Sequence, residues 1–515
     1  MSRGWALKMM DASGKLPSSG VLQGSILSLP GNMDSCLDVD SEKFKGQYCL
    51  LSLRKGESRR SFSEWSHQHT LDRGVGDLIQ QLLLSGGLKL GHCVPDSCTE
   101  EDTVKGLDNF LKEVQFPGNS ISLGCRSNTP VEMEVGDYIV IALVLGFIIL
   151  VTVGTIVDVS MIYFGDQCLH KYVIIIFQGF SCITTLHKVF YVAENKDNLG
   201  CINGIRFISM AWVIVGHTYL MTLSSSAPFL SNSLSALQEY SNSFGMRTIF
   251  NATPSVDSFF LIGSTLLAYI TLKEMEKHKG GSVRFWVMYY VHRYLRLTGV
   301  YAVVLALHAT LLKFLATGPQ HFVDNLHENC ATGWWANLLY VNNFFSGEED
   351  GENNCMGWTW YMANDMQMFI ISPIFIVSMF HWPIFGVALT LLTYLASTIW
   401  RIIASSDRAN LTFSSIYIKP WYRIGPYAIG LVLGYILFKT RKLDSKTANI
   451  PSKLSFMLSI IGWAISLGTF IGVVFGVPAD MGSLSDMKFT IYYGLFRNVW
   501  AISLAWLIFA CAKVI

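Results

Sequence analysis

Arg206 and His217 stand eleven positions apart in the apolar segment "CINGIRFISMAWVIVGHTYL". At 3.6 residues per turn that spacing is close to three turns, so on a helix both side chains leave one face, ~16 Å apart along the axis. A guanidinium offers the forked donor set that suits phosphate. An imidazole can take a proton from a hydroxyl in the pH range of the cell. The separation is near the reach of a pantetheine arm, so an acyl-coenzyme A held by its phosphates at Arg206 would present its thioester near His217. The plainer alternative stays open: Arg206 anchors the end of a span, and His217 hydrogen-bonds a neighbouring helix.

Two further groups carry charge where charge is expensive. In "VHRYLRLTGVY", Arg293 and Arg296 fall at i and i+3, on one helical face at the expected inner end of a span. They suit a polyanion such as the phosphates of acyl-coenzyme A, or the positive-inside bias alone. In "MGWTWYMANDMQMFIISPIF", Asp365 sits in the outer part of a span beside Asn364 and Gln367. A carboxylate there is expected to face the bundle interior, where it orients the His217 imidazolium, binds a substrate hydroxyl or clamps two helices.

The elements that must position these groups are membrane spans. The sequence is 51% hydrophobic and 15% charged, with a mean hydropathy of +0.38, outside the balance of a soluble chain this long. Net charge is +1, which gives no basic surface for nucleic acid. Windows of ~20 apolar residues occur at 137–157, 205–222, 254–272, 293–315, 358–380, 384–404, 420–438, 454–476 and 491–513. The segment 171–193, with His187 and Lys188, reads as an interfacial or re-entrant helix. Lys273, Lys277, Lys279 and Arg284 mark one cytoplasmic loop, and Lys439, Arg441, Lys442, Lys446 and Lys453 mark another. Alternation then places Cys330, Cys355, the acidic run Glu348 to Asp350 and the glycosylation sequons at Asn251 and Asn410 outside.

The same parity puts the polar region 1–136 outside, in an oxidising compartment where Cys36, Cys49, Cys93, Cys98 and Cys125 are disulfide candidates. Five cysteines cannot all pair among themselves. "MSRGWALKMMDASGK" lacks an apolar signal core, so the expectation is a longer precursor whose lost segment held a signal and a sixth cysteine. Pro, Gly, Asn and Asp mark turns through this region. Residues 73–84 and 99–114 read as amphipathic helices, the second capped by Thr99 with Asp102 three residues on. His67, His69 and His92 match no metal-ligand spacing, and no metal or bound cofactor is expected.

Taken in order, the Arg206–His217 helix, "SVDSFFLIGSTLLAY", the Arg293-x-x-Arg296 pair and "WYMANDMQMFIISP" resemble the membrane acyltransferase-3 family. In that family the first-helix Arg and His and the Arg-x-x-Arg motif are the functional signature. Trp360, Gln367 and Pro373 fit its later helix, Asp365 takes the place of a Glu, and Ile262, Gly263 and Ser264 depart from a Leu-Ser-Gly. "WALKMMDASGKLPSSGVLQGSILSLPGNMDSCLDV", "FKGQYCL" and "HCVPDSC" resemble the cysteine-bearing domain of the nose-resistant-to-fluoxetine proteins of invertebrates. The resemblance implies an all-α polytopic bundle of about nine to eleven membrane helices behind a smaller, disulfide-containing, mainly helical outside domain. The domain boundaries expected are 1–136, 137–200 for a first span and linker, and 201–515 for the acyltransferase region.

The function that follows is acyl transfer from cytosolic acyl-coenzyme A to a hydroxyl of a lipid, small molecule or protein, in the plasma membrane or endoplasmic reticulum. His217 and Asp365 are its expected catalytic groups, and Arg206, Arg293 and Arg296 its donor-binding groups. No Ser or Cys sits in a G-x-S-x-G elbow at a relevant place. The alternative is a protein for lipid or drug uptake that keeps the fold without turnover. Its partners in either case are membrane lipids and a lipid or small-molecule acceptor.

Overall fold

The computed structural model describes residues 4–14, 28–55, 88–113, 118–164, 176–191, 200–223, 239–240, 243–278, 280–315, 318, 326–345, 355–407, 413–441, 452–476 and 485–513. The expected helix at 73–84, His67, His69, Asn410 and the acidic run at 348–350 lie outside these residues.

The N-terminal region is built on a four-stranded sheet of order β1-β3-β2-β4, from β1 (Ser28–Leu29), β2 (Gly46–Lys55), β3 (Leu88–Pro95) and β4 (Gly118–Ser127). Helices α1 (Gly4–Ala12), α2 (Met33–Leu37) and α3 (Glu100–Glu113) accompany it. The described part is therefore mixed rather than mainly helical. The central strand hid from periodicity because it buries both faces: Tyr48, Cys49, Leu50 and Leu51 are all inaccessible, so the apolar/polar alternation of a half-buried strand never arises. Two disulfides pin the sheet. Cys49 and Cys125 face each other across β2 and β4, and Cys36–Cys93 ties α2 to β3. Cys98 is unpaired and half-buried. The start of α3 is as the sequence implied: Asp102 N–H donates to Thr99 Oγ1 at 3.1 Å, and Thr99 N–H to Asp102 Oδ2 at 3.0 Å. The Thr99 hydroxyl, donating to Asp102 Oδ2 at 2.7 Å, and then the Thr99 N–H hold the exposed Asp102 carboxyl below the usual carboxylate range.

Each apolar window found in the sequence overlaps a long helix: α4 (Val135–Phe164), α6 (Cys201–Leu223), α7 (Pro254–Lys277), α8 (Val283–Ala309), α10 (Trp360–His381), α11 (Pro383–Ser406), α12 (Ile424–Thr440), α13 (Ser452–Phe475) and α14 (Asp486–Lys513). The intervening α5 (Cys182–Phe190) and α9 (Leu326–Leu338) are shorter. Among the described residues, five helices are long and apolar enough to cross a bilayer: α4, α7, α10 with the turn before it, α11 and α14. The chain is accordingly mostly helical and fits a multi-pass membrane protein, with disulfides in its N-terminal region that fit an extracellular or lumenal domain.

Within 171–193, α5 is the helical part. Ser181 caps it, and Asp158 of α4 accepts from Ser181 Oγ at 2.5 Å and Thr184 Oγ1 at 2.6 Å. One correction bears on the site. The expected span 293–315 begins ten residues earlier, at a Ser282 cap, and ends at Ala309. The segment "VRFWVMYYVH" before Arg293 is apolar and aromatic enough to continue the helix. Arg293 and Arg296 thus stand mid-helix rather than at its end.

Helices α7 and α12 form the centre. Gly430 and Gly434 let them touch: a Cβ on Gly430 would lie 1.9 Å from Ser264 Oγ, and one on Gly434 2.5 Å from the Thr265 carbonyl oxygen. This is the small-x-x-x-small approach by which membrane helices gain packing contacts without a hydrophobic driving force. Phe260, Ala268, Met368, Ile376 and Leu431 fill the core beside it. Cys330–Cys355 closes the stretch between α8 and α10.

Candidate functional site

Helix α6 carries Arg206 and His217 on one face. Val213, two turns after Arg206, packs on the cluster that contains Val256 and Phe260 of α7, which fixes that face toward the bundle. Neither polar side chain is sealed in, since both residues are exposed. His217 Nδ1 lies 2.8 Å from the Val213 carbonyl oxygen. A carbonyl only accepts, so Nδ1 carries the hydrogen and Nε2 holds the lone pair.

Arg293 of α8 forms an ion pair with Asp365 of α10. Its guanidinium lies 4.3 Å from the Phe369 ring centroid, and Tyr289 stacks on the same ring at 4.2 Å. Asp365 thus meets an arginine; among the described residues no hydrogen bond joins it to His217. On α7, Gly263 faces the pair: a Cβ there would stand 4.0 Å from Asp365 Oδ1, an ordinary contact distance. Arg296, exposed, lines with Arg293 a groove of about 450 Å³ between α7 and α8, floored by Phe369 and flanked by His292. Glu274 at its rim is paired with Lys277 at 2.6 Å.

The other polar neighbours of Asp365 face away from this groove. Asn364 donates to the Ile418 carbonyl at 3.0 Å, and Gln367 to the Tyr340 carbonyl at 2.7 Å. Both fix the 340–343 turn and the 413–418 segment to α10.

Sequence reasoning missed the most deeply buried charges. Asp257 of α7 receives Arg423 Nη1 and Arg497 Nη1, each at 3.0 Å. All three residues are at most 3% exposed. Asp257 lay in the quoted "SVDSFF", and its charge inside an apolar window was the available signal; Arg423 and Arg497 read as flanking charges. The sequon at Asn251 also looks different in the fold. Its amide is buried and donates to the Val474 carbonyl at 2.7 Å, so it is not presented for glycosylation.

Comparison with known proteins gives two family matches along the chain. Residues 1–107 match the family model described as "Nose resistant-to-fluoxetine protein, N-terminal domain", and residues 199–514 match that described as "Acyltransferase domain". The chain is 27% identical to Nose resistant to fluoxetine protein 6 of Caenorhabditis elegans, over 99% of this chain and 68% of that protein. It is 24% identical to Regulator of hypoxia-inducible factor 1 of the same organism, over 62% of each. No solved structure matches it. With both domains matched in order, the chain belongs to the membrane acyltransferase-3 family, among the proteins that carry a nose-resistant-to-fluoxetine N-terminal domain.

Proposed function

We propose that the membrane domain moves an acyl group from cytosolic acyl-coenzyme A to a hydroxyl of a lipid, small molecule or protein. The observation that carries the proposal is the single face of α6, where Arg206 and a His217 with its Nε2 lone pair available flank Val213 on the bundle core. His217 Nε2 takes the acceptor hydroxyl proton as the oxygen attacks the thioester carbonyl. The tetrahedral intermediate then collapses, the carbon–sulfur bond breaks, and the imidazolium returns the proton to the departing thiolate. Arg206 and Arg296, with Arg293 beside it, supply donors for the phosphates of the coenzyme. Arg293 is already paired, so its part is to hold α8 on Asp365 and keep Arg296 aimed at the groove. Membrane lipids are the natural source of both acceptor and solvent.

A second reading, a lipid- or drug-handling protein without turnover, is favoured by one observation: Asp365 is occupied by Arg293 and does not orient the imidazole. Purified full-length protein incubated with radiolabelled acyl-coenzyme A and membranes separates the two. Transfer that disappears in a folded His217→Ala supports catalysis. Absence of transfer by the wild type, with uptake intact in His217→Ala cells, supports the second reading and overturns the first.

A further inference from the structure

Helices α7, α11, α12 and α14 converge on a cluster in which positive charge outnumbers negative. Arg401, Arg423 and Arg497 are 1%, 0% and 3% exposed, and Asp257, between the last two, is 0% exposed. Guanidinium groups stay protonated in proteins, so among the described residues the cluster carries an excess of two positive charges. Backbone carbonyls satisfy part of it. Arg401 Nε donates to Gly494 O at 2.9 Å and Nη1 to Tyr422 O at 3.0 Å, while Arg423 Nε donates to Tyr417 O at 2.8 Å. Nη2 of Arg401 and Nη2 of Arg423 have no hydrogen-bond partner among the described residues. Carbonyl dipoles and aromatic faces, such as the Tyr417 ring 4.0 Å from the Arg423 guanidinium, soften this charge without cancelling it. Buried charge without a counter-charge is costly.

Beside the cluster lies a space of about 80 Å³, walled by Thr253, Tyr417, Tyr492, Tyr493, Phe496 and Arg497; Arg401 and Arg423 do not line it, so their charge acts on it from behind Arg497. A water molecule takes about 30 Å³ in the liquid, so the space has room for a compact ion together with a water or two. We propose that it binds a single compact monovalent anion, either a halide or the carboxylate of a small acid, which offsets charge at the edge of the arginine cluster and locks α14 against the start of α7 and the 413–418 segment. Arg497 is the residue that both reaches Asp257 and lines the space, so it provides the principal contact. The site is distinct from the groove at Arg296 and does not depend on acyl transfer.

The test is thermal unfolding of the purified full-length protein in detergent at constant sodium concentration, exchanging gluconate for chloride or for acetate. A saturable rise in midpoint of roughly 2–4 °C with either small anion and not with gluconate supports the site. Chloride alone identifies a halide, and acetate alone a carboxylate. The same midpoint in all three, or a rise that never saturates, overturns the proposal. Arg497→Gln and Arg497→Lys are then compared. A folded Arg497→Gln that keeps the full chloride or acetate response also overturns it, whereas loss in Gln with partial retention in Lys supports it. Should neither variant fold, the wild-type titration still decides.

Discussion

His217 Nδ1 stands 2.8 Å from the carbonyl oxygen of Val213, one turn earlier in the same helix. That bond sets the tautomer and turns Nε2 outward as the basic nitrogen, so the orienting partner is the backbone rather than a carboxylate. His217→Ala is expected to lower acyl transfer by about 10²-fold or more with no change in the size-exclusion profile. Single-turnover label transfer from acyl-coenzyme A checks it, and unchanged transfer would remove His217 from the chemistry.

Arg293 and Asp365 join α8 to α10 by an ion pair whose side chains are 27% and 16% exposed. Breaking either partner is expected to destabilise more than removing both. A double-mutant cycle of Arg293→Ala and Asp365→Ala should give a coupling of about 1–3 kcal/mol, at the low end because the pair is not fully buried. Denaturant or thermal unfolding in detergent measures it. Additive effects would mean that the pair does not hold the helices together.

Substituting Gly430 with Val would drive a Cβ to 1.9 Å from Ser264 Oγ and 2.4 Å from the Leu261 carbonyl. Separation of α7 from α12 is expected to cost about 1–3 kcal/mol, read as a lower unfolding midpoint. The same substitution at Gly468, where nothing lies within 4 Å of the added Cβ, provides the control and should cost far less.

The cysteine pattern predicts the outcome of labelling with an impermeant thiol reagent applied to intact cells. Cys98, unpaired and half-buried, should react without reduction. Cys36, Cys93, Cys49 and Cys125, paired in two disulfides, should react only after it. Labelling of Cys98 only once the membrane is opened would place the N-terminal region in the cytosol. Loss of the Cys49–Cys125 bridge in Cys49→Ser should cost about 2–5 kcal/mol of domain stability, measured by amide exchange of β2.

Burial holds the His92 imidazole below its ordinary range, and its Nε2 has no hydrogen-bond partner among the described residues. The unfolded chain therefore binds a proton more readily than the fold. Stability from this group is present above the unfolded value of about 6.5 and is lost as pH falls through it toward the folded value. Amide protection of β3 should drop between pH 7.5 and 5.5 by at most about tenfold per pH unit, the limit for one proton. His92→Gln should flatten that dependence; a flat profile in the wild type would show that His92 does not carry it.

The sequence by itself determined the membrane character, the positions of the apolar helices, the shared face of Arg206 and His217 and the Thr99 cap, because each follows from composition or from a repeat within one segment. Its errors arose where segments interact. Strand β2 is buried on both faces and so shows no alternation, and α8 begins ten residues before the charged pair that appeared to start it. Only the tertiary structure decided which charges meet. Asp365 pairs with Arg293, and Asp257 with Arg423 and Arg497 from residues 166 and 240 positions away. Such pairings depend on how helices pack in three dimensions, and local periodicity holds no record of them.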